Sequence, residues 1–245
     1  MKPSLRAAGA LGGDLLFYGL LWAGLGAAVL GLELAGGAVW GDPDGSMWDG
    51  TASIFQYAML GAGIMVGASY LPVFVTHGIT RRDFTVGALI ALVGLAVGAA
   101  LATTIGYGLE HLVFDAAGWP HVLDNAREMH IYDRPDQYGL IAVELFGLYV
   151  THAVGGLLIV AGLFRLGWLY GSVFVLAGTA VAVGAEMALA SGFAGVLLLE
   201  TFDMQAPAVG AGLALATGLA VLGALGARAL IAGVVVDAKD AAWWR

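Results

Sequence analysis

Residues 58–102, AMLGAGIMVGASYLPVFVTHGITRRDFTVGALIALVGLAVGAALA, decide the fold: two long apolar runs flank one polar, doubly basic turn, Thr76-His77-Gly78-Ile79-Thr80-Arg81-Arg82-Asp83-Phe84. Each run reaches the ~20 residues that a helix needs to cross a bilayer. Neither alternates in polarity as a barrel strand would. The pattern predicts two helices crossing a membrane, and adjacent arginines at the mouth of the second place that end on the cytoplasmic side.

The rest of the chain follows suit. Its 245 residues are 60% hydrophobic and 11% charged, with a mean hydropathy of +0.88, which a water-soluble domain of this size could not carry on its surface. The prediction is an all-α, polytopic protein with one transmembrane domain over residues 1–245 and six spans, near 15–40, 53–75, 84–114, 138–166, 170–199 and 207–236. The first run is far longer than the apolar region of a cleaved signal peptide. With both termini inside, Lys2, Arg6, Arg81, Arg82, Arg165, Arg228, Lys239 and Arg245 fall at the cytoplasmic surface, leaving Arg127 and Arg134 outside. Acidic residues cluster in the outer loops, so the formal net charge of -8 says little about a binding partner.

Punctuation refines the layout. Pro72 should kink the second span just before the arginine turn. Gly63/Gly67 and Gly94/Gly98 permit close helix approach, and ordinary intramembrane packing accounts for them more simply than a dimer seam. Around 119–131, apolar residues recur at helical spacing and predict a short helix on the outer surface. The fifth segment is overlong. It is either one tilted helix or one broken at Ser191-Gly192, its tail folding back as a re-entrant helix.

The chain has no cysteine, hence no disulfide, thiol nucleophile or cysteine metal cluster. Its ten Lys/Arg form no basic face with interleaved aromatics, which excludes nucleic acid as a partner. No Ser/His/Asp set or His-Glu-x-x-His motif appears, so no hydrolytic machinery is visible. His121, Asp124 and Glu128 share a face of the outer helix, read as solvated rather than as a metal site. His152 lacks the second deep histidine that a bis-histidine haem requires.

Thr80 and Asp83 fit a helix cap for the third span. Arg81 and Arg82 do not, because cations oppose the macrodipole in a first turn. They either fix topology or meet an acidic partner. The segment His77-Gly78-Ile79-Thr80-Arg81-Arg82-Asp83-Phe84 resembles the Gly-[Ile/Val]-[Ser/Thr]-Arg-Arg-x-Phe stretch of small bacterial ABC-2 type transporter permeases, particularly actinobacterial ones. In that family it forms the cytoplasmic coupling helix. The resemblance covers the whole chain in layout: six spans, both ends inside, and an outer re-entrant element after span five. FtsX-like permeases share a similar turn but have four spans and a large outer domain.

The resemblance implies a non-enzymatic subunit of an exporter in the bacterial cytoplasmic membrane, paired with a second copy and with two ABC ATPase subunits. His77, Gly78, Ile79, Thr80, Arg81, Arg82 and Asp83 would couple it to the ATPase. The chain itself carries no cofactor. It has no phosphate-binding loop, its only lysines being Lys2 and Lys239, so ATP and Mg belong to the partner. A hydrophobic or amphipathic small molecule, lipid or peptide would suit a weakly polar pathway.

Intramembrane polar residues are costly in lipid and mark candidate sites. Glu33, Gln56, Tyr57, Leu60 and Glu186 are candidates for the substrate pathway, with Gln56, Tyr57 and Leu60 on one helical face. Glu33 and Glu144 lie near the outer ends of their spans, close enough to reach the interface. These residues show no common depth in the sequence. The competing reading is a membrane-embedded enzyme or cytochrome using Glu186, Glu144 and His152.

Overall fold

The computed structural model describes residues 2–40, 46–119 and 130–235. Several side chains of α1, that of Glu33 among them, also lie outside the described residues, as do the predicted outer helix with His121, Asp124 and Glu128 and the C-terminal Lys239 and Arg245. The described residues form helices without strands: α1 Pro3–Trp40, α2 Met47–Met65, a π-helical turn Val66–Tyr70, α3 Leu71–Thr76, α4 Arg81–Ala117, α5 Tyr138–Gly171, α6 Val173–Leu189, α7 Phe193–Thr201 and α8 Val209–Ala232. The runs Ala52–Thr76, Arg81–Ala117, Tyr138–Gly171 and Val209–Ala232 are long and apolar enough to cross a membrane, and the pair α6/α7 makes a fifth if counted as one bent span. The described residues are thus all-helical, with four or five helices whose length and composition suit a multi-pass membrane protein. Helix α1 covers the first predicted span and begins well before it, at Pro3.

Helix α5 is the axis. Every residue from Thr151 to Gly162 is buried, which an apolar helix inside a bundle can sustain all round. Glycine lets its neighbours close. A Cβ on Gly63 would fall on the carbonyl of Ala153, one on Gly156 on the carbonyl of Leu60, and one on Gly178 on the carbonyl of Gly155. The Gly63/Gly67 pair therefore packs α2 on α5 within one chain. Gly94 and Gly98 have nothing within 4 Å and face outward.

Pro72 produces no simple kink. The five-residue π turn Val66–Tyr70 precedes it, and Pro72 enters α3 in its first turn. Widening the ladder there removes the demand for the amide that proline lacks and relieves its clash with the preceding turn. Helix α3 then ends in a Schellman turn: Gly78 is left-handed at φ 83, with Ile79 N–H donating to Phe74 O at 3.0 Å and Gly78 N–H to Val75 O at 3.1 Å. Thr80 starts α4 as predicted, accepting from Asp83 N–H at 3.1 Å while its hydroxyl donates to Asp83 Oδ2 at 2.7 Å.

The fifth segment is broken where expected. Helices α6 and α7 meet at 72° across Ala190-Ser191-Gly192. At Gly167 (φ 73), the chain turns from α5 towards α6. Among the described residues, all the lysines and arginines but Arg134 gather at one end of the bundle. Ser4 and Ala7 of α1 abut Gly87 near the start of α4, and two arginines close the end of α8: Arg81 Nε donates to Val234 O at 2.6 Å, and Arg165 Nη1 donates to Gly233 O.

Candidate functional site

At the opposite, acidic end, the bundle encloses a polar junction built by α2, α4, α5, the segment after residue 130 and the α6/α7 break. Each carboxylate there has a structural reason for its position. Glu110, fully buried on α4, accepts from Ser46 Oγ at 2.7 Å and from Trp48 N–H at 3.2 Å. It thereby caps the start of α2 from a neighbouring helix, where a negative charge meets the positive end of the dipole. Trp48 packs over Gly106 and donates from Nε1 to Thr103 O at 2.8 Å.

Glu144 is buried rather than reaching the interface. It has 0% exposure, its Oε1 is 2.7 Å from His130 Nδ1, and its Oε2 accepts from Ile131 N–H at 2.8 Å. The sequence placed it within two turns of the helix end. What covers it is the segment following the outer loop, which folds inward so that His130 stacks on Tyr132 at 4.5 Å between centroids. Tyr132 in turn meets Tyr107, hydroxyl to hydroxyl, at 3.1 Å.

Glu186, near the end of α6, lies at 0% exposure and joins three helices. Its Oε1 contacts His152 Nε2 on α5 at 3.0 Å and accepts from Gln56 Nε2 on α2 at 3.3 Å. Its Oε2 accepts from Gly195 N–H at 2.8 Å. That amide is an unsatisfied donor in the first turn of α7, whose N-cap, Gly192, has no side chain to serve it. Gly192 and Gly195 are required here, because a Cβ on either would strike the Glu186 side chain. The ring of Tyr57 stands edge-on to His152 at 5.6 Å.

The two carboxylate–histidine pairs are about 12 Å apart along α5, eight residues at 1.5 Å each. A pocket of about 10 Å³ lies beside the Glu144–His130 pair, lined by Gln56, Ser53, Tyr107, His130, Glu144 and Ser191 among others. That is room for about one water molecule. Ser191 Oγ reaches His130 Nδ1 at 3.3 Å. The polar groups thus form two pairs at different depths along α5, and the break at Ser191 brings the end of α6 beside residue 130.

The predicted pathway residues separate. Gln56 is buried and lines the pocket. Tyr57 is 41% exposed, and Leu60 packs on Gly155 and Gly156. They do not form one cavity-facing row. The backbone of Glu33 lies in α1, its side chain outside the described residues. At the basic end, His77 Nδ1 contacts Val73 O at 2.7 Å, Gly78 and Ile79 complete the turn, and Thr80 and Asp83 form the cap. Arg81 is engaged within the chain, so of the arginine pair Arg82 is the exposed member. His130 and Ser191 were not singled out as site residues. His130 fell within the apolar spacing read as a short helix over 119–131, which gave no reason to turn it inward, and Ser191 signalled only a helix break.

The chemistry is bounded by which atoms are already used. Both ring nitrogens of His152 are engaged, Nδ1 with Leu148 O at 2.8 Å and Nε2 with Glu186, which leaves none for a haem iron. Ser191 and Glu144 both approach Nδ1 of His130. A nucleophile–base–acid relay needs its two partners on opposite nitrogens, so this is not a catalytic triad. No group of three metal-ligating side chains occurs among the described residues. What the junction can do is hold protons and fix the α6/α7 break. Comparison with family models, curated proteins and solved structures finds no match for this chain.

Proposed function

We propose that the chain is the membrane-spanning permease subunit of an ATP-driven ABC exporter, with ATP and Mg bound by a separate ATPase. The observation that carries this reading is the turn between α3 and α4, rigidly capped on both sides, which presents Arg82 to solvent at the basic end while Arg81 is held by α8. A rigid cationic projection beside a membrane helix suits an acidic groove on a cytoplasmic partner. In this reading α1 is the sixth span, the basic end is cytoplasmic by the excess of Lys/Arg, and α7 is the outer re-entrant helix. A broken helix near a polar centre is also how transporters build their binding sites. Two copies of the chain then enclose the pathway, and a hydrophobic or amphipathic compound crosses between them.

Co-expression with an ABC ATPase encoded nearby tests the proposal. The tagged chain should retain the ATPase after detergent extraction. Arg82→Glu should weaken that capture by roughly tenfold or more, since a reversed charge meets like charge in the groove, with helix content unchanged. A chain that retains no ATPase, or a pair whose capture ignores Arg82→Glu, removes the coupling role.

A further inference from the structure

We propose that Glu186 and His152 form a proton-binding site that latches α7, and that uptake of a second proton releases this helix. The inference goes beyond the transport reading and stands without it.

The hydrogen-bond inventory carries the argument. Leu148 O can only accept, so His152 Nδ1 must carry a hydrogen. The contact between His152 Nε2 and Glu186 Oε1, 3.0 Å long, then holds one proton shared between the two groups, whichever atom it sits on. The pair is neutral overall, as a site with no exposed atoms demands. A further proton has only Oε2 to go to. That oxygen faces the Gly195 N–H, which can only donate, at 2.8 Å. A protonated Oε2 has to turn its hydrogen away from that amide and accept as a neutral hydroxyl oxygen, a weaker acceptor than a carboxylate, so the second proton weakens the one side-chain hydrogen bond that ties Glu186 to α7.

Gln56, which donates to Glu186, also lines the pocket, and α7 is lightly held. The pocket beside Gln56 has room for about one water molecule and is bordered by Ser191, His130 and Glu144 towards the acidic end. Helix α7 joins α6 through two positive-φ residues, Ala190 (φ 50) and Gly192 (φ 77), and buries only Gly195, Val196 and Leu199. Among the described residues, the titratable groups facing Glu186 are His152 on α5 and Tyr57 on α2, the latter's hydroxyl lying among Gln56, Glu186 and the Ala194 backbone. Across the pocket stand Glu144 and His130, already paired with each other. Helix α8 faces this point with small apolar residues, Gly212 lying against Ala188 and Leu189. The sign follows: the released form binds one more proton, so acid favours release.

The test is hydrogen exchange of the full chain in lipid nanodiscs, followed by mass spectrometry and corrected for intrinsic exchange. As the buffer is taken from about pH 8 to about pH 4, protection of residues 193–201 should drop roughly tenfold, the factor by which a neutral hydrogen bond falls short of a charge-assisted one. Protection of the α5 core should hold. Glu186→Gln can donate to His152 Nε2 and still accept from Gly195, so it should keep α7 protected at every pH. Glu186→Ala should leave α7 unprotected at every pH. The proposal is overturned if α7 protection in the native chain ignores pH, if it falls in step with the whole bundle, or if Glu186→Gln retains the acid step. Because the native profile and the isosteric Glu186→Gln variant decide the matter, a Glu186→Ala chain that fails to fold does not rescue the idea.

Discussion

Single glycines and arginines here have distinct assignments that their residue types alone do not disclose. Gly156 is one of the points where α5 meets α2, and a side chain there would collide with backbone rather than with a movable neighbour. Gly156→Leu should therefore lower the unfolding midpoint in detergent, by an amount equivalent to about 1–3 kcal/mol or more for overpacking. Gly94→Ala should be neutral or gain up to about 1 kcal/mol, since it adds helix propensity in open space. If Gly94→Ala proves as damaging as Gly156→Leu, the outward face of α4 is packed against something, and a second copy is the first candidate. The glycine motifs look alike in sequence, and only the direction each faces in the bundle separates them. The same holds for Arg81 and Arg82: adjacency in sequence suggested one role, yet successive helical positions point about 100° apart. One arginine closes α8 and the other meets solvent.

At the scale of elements, the helix ends explain much of the architecture. Helices α3, α4, α6 and α7 all finish with paired 6→1 and i→i−3 amide bonds around a left-handed residue: Gly78, Gly118, Ala190 and Asp203 respectively. Two of these are not glycine. The Ala190 conformation costs roughly 1–2 kcal/mol through contact of its Cβ with the backbone, so Ala190→Gly should raise the unfolding midpoint by about 1 kcal/mol equivalent if the hinge keeps its geometry. A decrease would mean that burial of the Ala190 methyl outweighs its strain. The break itself was legible from Ser191-Gly192, as was the cap from Thr80 and Asp83, because both are local choices of backbone. Glu144 and Glu186 were legible as costly residues but not by the partners that bury them. The Glu144 pair depends on the inward fold of residue 130, and the Glu186 site on the 72° turn of α7 that brings Gly195 to it, neither of which any periodicity encodes. The π turn was illegible for a related reason: Pro72 signals that a ladder bond is missing, not how the preceding residues absorb the loss.

For the molecule as a whole, the segregation of charge is the feature that ties fold to orientation. Helices α1, α4 and α6 run from the basic end to the acidic end, and α2, α5 and α8 return, so of the exposed cations among the described residues Lys2, Arg6, Arg82, Arg165 and Arg228 lie at the basic end and Arg134 at the other. Short-loop cations govern insertion whereas acids contribute little, which makes the basic end cytoplasmic under the proposed reading. The absence of native cysteine makes this directly measurable. Single cysteines at Thr76, the last residue of α3, and at Ser172, in the turn before α6, both at the basic end, should resist a membrane-impermeant maleimide in intact cells and react once the membrane is opened. Cysteines at Asp133 and Asp203, in turns at the acidic end, should react from outside. Removing both Arg81 and Arg82 should leave this pattern unchanged, because the remaining cations still favour the same side. Labelling of Thr76→Cys from outside in the native background would invert the proposed orientation and with it any cytoplasmic role for Arg82. Inversion only after loss of the pair would identify Arg81 and Arg82 as the topology signal itself.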